Sequence, residues 1–187
     1  MSETGMDVDE QPDGVTEERP RTDETDDGSQ TKGKRLEFAD SVAIDTDKDT
    51  LWSIISDPEV LTTCVPGAES IERLSTERYT VDITRGISHL TVSLSGEVEF
   101  VEMNEPDWIV ASGSAFDATT GSDFDILAAM EMTESDDGAT TLTYQAEVDY
   151  TGGVASLGTL FLRPIVRKDI TAYFDNIKAE VESRTDA

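Results

Sequence analysis

The sequence of 187 residues contains one cysteine, Cys64, and one histidine, His89. A lone cysteine excludes an internal disulfide, and the two residues together cannot supply the nitrogen and sulfur ligands of a structural zinc site. Bases are scarce as well: 14 Lys and Arg stand against 41 Asp and Glu, a net charge of −27. A field of that sign repels phosphate backbones and anionic headgroups, which excludes a sequence-neutral nucleic-acid binder and a polybasic membrane anchor. Long hydrophobic runs are missing. The longest uncharged stretch toward the C-terminus, residues 150–162, has 13 residues and three glycines, short of the ~20 apolar residues a spanning helix needs. Residues 1–15 hold no apolar signal-peptide core. These absences lead to the expectation of a soluble, cytoplasmic protein.

What remains suffices for one folded domain, since 36% of the residues are hydrophobic. Residues 1–34 carry 11 acids and 4 bases, with Met1, Met6, Val8 and Val15 their only sizeable apolar side chains. Such a segment cannot bury enough surface to offset the entropy of ordering, so a disordered acidic tail is expected at 1–34 and a domain at 35–187. The domain keeps 30 acids against 10 bases. At about 1 M salt the Debye length is roughly 3 Å, so a surface this acidic suits a salt-adapted organism.

Hydrophobic spacing gives the order of elements. Leu36, Phe38, Val42 and Ile44 alternate as in a strand. Asp45, Thr46 and Asp47 then offer helix caps ahead of Leu51, Trp52 and Ile55, and Asp57-Pro58 opens a second short helix that Pro66-Gly67 closes. From Ala68 to about Tyr150 the period is two. Tyr79, Val81 and Ile83 share a face, as do Leu90 to Phe100, Phe124 to Met132 and Leu142 to Tyr150, with turn clusters at 75–77, 104–107 and 135–138. In residues 108–116 both alternating sets contain apolar and small residues, which leaves the face open. Ile170, Phe174, Ile177 and Val181 return to helical spacing, with Leu157, Leu160 and Phe161 on earlier turns; Pro164 either kinks this helix or lies near its start. The expected fold is α+β, a curved antiparallel sheet wrapped around a long C-terminal helix, with two short helices after the first strand.

The residues at the joints resemble the family of carbon monoxide dehydrogenase G subunits, within the START-like (SRPBCC) helix-grip superfamily. They are Trp52 followed by Asp57-Pro58-Glu59, then Cys64-Val65-Pro66-Gly67-Ala68-Glu69-Ser70-Ile71. Downstream, Thr141-Leu142-Thr143-Tyr144 is similar to the family's penultimate strand region, and Gly152 or Gly153 with Val154-Ala155-Ser156-Leu157-Gly158 to its lead-in to the last helix. The resemblance covers about residues 36–182. It implies a hydrophobic cavity between sheet and C-terminal helix, and an accessory role beside molybdenum hydroxylases of the carbon monoxide dehydrogenase type, with a quinone or lipid as bound cargo and no resident cofactor. Several family members continue into a hydrophobic C-terminal anchor. This sequence ends on an acidic helix and Thr185-Asp186-Ala187, so no autonomous anchor is expected, and any membrane association would run through a partner.

Under that resemblance a subset of Trp52, Tyr79, Val81, Phe100, Phe124, Met130, Tyr144, Leu160, Phe161, Ile170 and Phe174 lines the cavity and the rest form core. The hydroxyls of Tyr79 and Tyr144 would suit a flat apolar ligand with one or two polar atoms. Arg163, Arg167 and Lys168 are either a polar mouth or partners of carboxylates on the sheet. No catalytic set stands out. Cys64 lacks a nearby base and reads as a small buried hydrophobe, and His89 falls on a polar face. Asp45, Asp47 and Asp49 imitate the start of a calcium loop, but Thr50 and Ser56 occupy its glycine and closing-glutamate positions, so capping explains them and no metal is expected. Two alternatives to a binding module stay open: a small cyclase or hydrolase working through cavity carboxylates or tyrosines, and an assembly protein with a vestigial cavity.

Overall fold

A computed structural model describes residues 33–87 and 89–186. The expected acidic tail therefore lies outside the described residues except for Gly33 and Lys34, and Lys34 already pairs with Tyr150. In chain order the elements are β1 (Lys34–Ile44), α1 (Lys48–Ile55), α2 (Pro58–Cys64), β2 (Ala68–Arg73), β3 (Arg78–Ile87), β4 (Leu90–Asn104), β5 (Trp108–Asp117), β6 (Ser122–Glu134) and β7 (Thr140–Thr151). A 3₁₀ turn at Gly153–Leu157 then leads into α3 (Thr159–Thr185). The seven strands form one antiparallel sheet in the order β1-β7-β6-β5-β4-β3-β2. The chain from β2 to β7 is a meander, and β1 closes the sheet against β7. This is the expected α+β helix-grip arrangement.

Local chemistry accounts for the joints. The Asp47 carboxylate caps α1, accepting from the Thr50 amide and hydroxyl, both at 2.8 Å. Asp57 caps α2 by accepting from the Glu59 amide at 2.9 Å, with Pro58 in the first turn. α3 begins at Thr159 and runs through Pro164, so the proline sits in its second turn and forgoes one backbone bond. β5 resolves the ambiguous stretch. Ile109 is buried while Phe116 is 48% exposed, so the odd-numbered positions face inward.

The core divides into two clusters. One joins α1 and α2 to the C-terminal half of α3 through Leu51, Ile54, Ile55, Cys64, Phe174, Ile177 and Val181. The other packs Leu36, Phe38, Val148, Tyr150 and Val154 around Leu162 at the start of α3. Tyr144 and Ile170 pack against both clusters.

Asp117 ends β5 as a buried carboxylate. It accepts from the Ser93, Thr119 and Thr120 amides at 3.2, 3.3 and 2.9 Å and from the Thr120 hydroxyl. Burial opposes its ionisation, but these hydrogen bonds outweigh burial and hold its pKa below the ordinary carboxylate range. A depressed folded-state pKa contributes stability that is present above the unfolded-state value and is lost as pH falls through the folded one. Asp117→Asn is therefore expected to be less stable than wild type at pH 7, with the gap narrowing below about pH 4. Urea unfolding of both proteins at pH 7 and pH 3 measures the two gaps, and an unchanged gap would show that Asp117 is not the titrating group.

Candidate ligand-binding cavity

Strand alternation places one row of each central strand on the concave side of the sheet, under α3. Val81 and Ile83 of β3, Leu94, Val98 and Phe100 of β4, and Phe124, Ile126 and Met130 of β6 face a cavity of about 310 Å³. Ile55, Leu61, Val65 and Ile71 complete it from α1, α2 and β2. The hollow exists because the inward row of β5, the middle strand, continues past Ile109 as Ala111, Gly113 and Ala115. Small side chains there leave the space that large ones fill elsewhere. Ile126 shows the opening: it points inward and pairs with Gly113, yet it is 43% exposed.

Polar groups on this wall are few, and most are engaged or turned to water. The Tyr79 hydroxyl donates to the Ser56 carbonyl at 2.9 Å. Glu97 is exposed and held by Arg78 at 3.2 Å, and Ser114 is exposed on the outward row of β5. Tyr173, reaching in from α3, is the exception, because its hydroxyl has no hydrogen-bond partner within the described residues. Burial pushes this phenol far above the usual tyrosine range, and the nearby Cys64 thiol adds to the shift. One turn earlier on α3, Asp169 accepts two hydrogen bonds from Arg85, at 2.5 and 3.1 Å. The pair ties β3 to the helix just beyond Ile83. Gly67 makes room for it, since a Cβ there would lie 2.5 Å from the Arg85 Cδ and 2.4 Å from the Thr84 carbonyl oxygen. The Pro66-Gly67 signature thus positions a sheet-to-helix ion pair at the side of the cavity.

Residues 41–182 match the family model of the carbon monoxide dehydrogenase G subunit, CoxG. The chain belongs to the CoxG family. Solved structures agree in fold. A conserved protein from Geobacillus kaustophilus is 22% identical, with a TM-score of 0.73 over 79% of this chain and 96% of that one. A START superfamily protein from Mycobacterium smegmatis is 14% identical, with a TM-score of 0.59 over 79% and 97%. The Zhui aromatase/cyclase from Streptomyces sp. R1128 is also 14% identical, with a TM-score of 0.59 over 82% and 96%. No curated protein matches the sequence significantly.

In this CoxG-family chain the predicted cavity residues separate into groups. Tyr79, Val81, Phe100, Phe124 and Met130 line the cavity. Trp52 and Phe174 are buried in the first core cluster, and Ile170 packs between the two clusters. Tyr144 stacks on Phe174 at 5.2 Å and borders a shallow groove with Trp108 instead. Leu160 and Phe161 are 92% and 43% exposed, a correction to their expected inward place. Phe161 precedes Ile170 by nine residues, two and a half helical turns, and so faces away. Leu162 takes the inward position instead.

Arg163, Arg167 and Lys168 do not border the cavity and form no ion pair among the described residues. Both arginines lie over the Phe38 ring, at 5.9 and 5.8 Å from its centroid, and Arg163 donates to the Glu37 carbonyl at 3.2 Å. Their contacts are thus a ring and a backbone carbonyl of β1 rather than sheet carboxylates. Cys64 is a core residue whose thiol pKa is pushed up by burial, and His89 is exposed. No helix of the described residues is long and apolar enough to cross a membrane.

Sequence reasoning missed Tyr173 and the small row of β5. The signal for Tyr173 was its spacing, three residues after Ile170 on the inward face. For β5 it was the alternation of Ala111, Gly113 and Ala115.

Proposed function

We propose that this CoxG-family domain is a binding module. It holds a neutral, largely apolar molecule of the quinone or lipid class in the cavity, and it serves a carbon monoxide dehydrogenase-type molybdenum hydroxylase as a non-catalytic accessory. The observation that carries the first part is the cavity itself: about 310 Å³ of apolar wall, at the lower end of ligand-pocket sizes, left open where a filled core would be more stable. Its size suits a ring system, with any longer tail leaving through the opening beside Ile126. Membership of the CoxG family supports the second part. A cyclase or hydrolase working through a cavity carboxylate would need one buried against the ligand, whereas the carboxylate on this wall, Glu97, is exposed and engaged by Arg78. A core that side chains leave unfilled also favours a ligand over a vestigial site.

Titrating the purified full chain with 2-methyl-1,4-naphthoquinone is expected to quench the fluorescence of Trp52 and Trp108 saturably, with a dissociation constant in the micromolar range. A folded protein that shows no saturable response would refute the cavity role.

A further inference from the structure

A wall that offers apolar contacts almost everywhere gives unusual weight to its one unsatisfied phenol. Tyr173 stands on the inward row of α3, its ring edge-on to Phe174 at 5.0 Å between centroids, and it borders the cavity. Its packing against Phe174 fixes the ring, and no group among the described residues takes up the phenolic proton. Unlike the fully buried, unpartnered hydroxyl of Tyr150, that of Tyr173 keeps accessible surface on a cavity-lining side chain, and an acceptor oxygen held against it in this apolar space makes a stronger hydrogen bond than it would in water. The chemistry that fits is a neutral acceptor oxygen.

Anionic ligands meet the opposite situation. Among the described residues no cationic side chain lines the cavity: Arg78 and Arg85 of β3 are engaged by Glu97 and Asp169 at 3.2 and 2.5 Å, and Arg73, 5.9 Å from the centroid of the Tyr79 ring, donates to the Ser75 carbonyl at 3.2 Å. A carboxylate entering this space would lose its hydration without gaining a counterion, inside a domain that is itself strongly negative.

We propose that Tyr173 is the polar anchor of the cavity and selects apolar ligands bearing a neutral acceptor oxygen, such as a quinone or ketone carbonyl, against carboxylates. This assignment rests on the cavity reading above and narrows it to a chemical class: fatty acids and other amphipathic anions are not its ligands. Burial raises the phenol's pKa, so at neutral pH it is protonated and a donor.

Three bicyclic probes of similar size test it by calorimetry on the full chain: 2-methyl-1,4-naphthoquinone, 2-methylnaphthalene and 2-naphthoate. Tyr173→Phe keeps the ring and removes the donor. It is expected to weaken quinone binding about fivefold to tenfold, the effect of one neutral hydrogen bond with its desolvation cost. Binding of the hydrocarbon should be unchanged or tighter, and 2-naphthoate should not bind wild type measurably. A second readout needs no variant. The carbonyl stretch of the naphthoquinone should move to lower frequency on binding to wild type, as a hydrogen-bonded carbonyl does. Unchanged quinone affinity in Tyr173→Phe, an unshifted carbonyl band, or 2-naphthoate binding as tight as the quinone overturns the role of Tyr173 and leaves the cavity reading standing. Failure of wild type to bind any of the three probes overturns both.

Discussion

Ile126→Trp is expected to reduce the affinity for 2-methyl-1,4-naphthoquinone by about two orders of magnitude while leaving the domain folded. Ile126 sits on the inward row of β6 opposite Gly113, which has no side chain to support it, and it is 43% exposed although it points under α3. An indole placed there grows into the void rather than into packed atoms. The penalty of about 1–3 kcal/mol that overpacking usually costs therefore falls on the ligand and not on the fold, and at the upper end of that range it corresponds to roughly a hundredfold in binding. The added apolar surface shielded from water offsets any small adjustment of the strand. Fluorescence titration and thermal unfolding of the same preparation separate the two effects. Wild-type affinity in a folded Ile126→Trp protein would place the ligand elsewhere.

The largest expected loss of stability comes from a single methyl group at the junction between β7 and the 3₁₀ turn. Gly152 has φ of +86°, and a Cβ built on it would lie 2.0 Å from the Gly121 carbonyl oxygen and 2.7 Å from the Ser122 Cα. Both obstacles are backbone, one in the loop between β5 and β6 that Asp117 organises and the other at the first residue of β6. The following residues bind the same loop: the Gly153 amide donates to the Thr120 carbonyl at 3.1 Å and the Val154 amide to the Ser122 hydroxyl at 3.0 Å. Gly152→Ala must open this contact or distort it. Strain of about 1–3 kcal/mol and overpacking of similar size together give roughly 4 kcal/mol. In a domain of this length that lowers Tm by about 10 °C. Gly158 is the control, because its φ is +78° but nothing lies within 4 Å of a Cβ there. Gly158→Ala should cost only about 1 kcal/mol, from backbone strain alone. Equal losses at the two positions in urea unfolding would show that the close approach at Gly152 contributes nothing.

Much of the architecture is written in local patterns. Alternation in Tyr79 to Ile83 and Leu142 to Tyr150 follows directly from the pleat, and the observed inward rows are the ones it indicates. Asp47, Asp57 and Pro58 act within four residues of themselves, so their roles are legible as well. The start of α3 is not, because spacing carried backward from Ile170 does not distinguish Leu160 and Phe161 from Leu162. Contacts with Leu36, Phe38 and Val154, all remote or outside the helix, settle the phase. The arginines near that end escape the pattern for a related reason. A surplus of carboxylates makes ion pairing the obvious expectation, whereas the nearest groups in space are the Phe38 ring and the Glu37 carbonyl.

Element order, caps and family all follow from residue order, since each depends on residues close along the chain. The place where the chain is hollow follows only from the packed fold. A void is set by the sizes of side chains from β3, β4, β5, β6 and α3 meeting at one place, and those residues lie up to about ninety positions apart, from Val81 to Tyr173. The same holds for the polar point on its wall. Nothing in the spacing distinguishes the hydroxyl of Tyr79, bound to Ser56, from that of Tyr173, without a partner among the described residues, because a hydrogen bond across the fold depends on distance in space, which residue order does not encode.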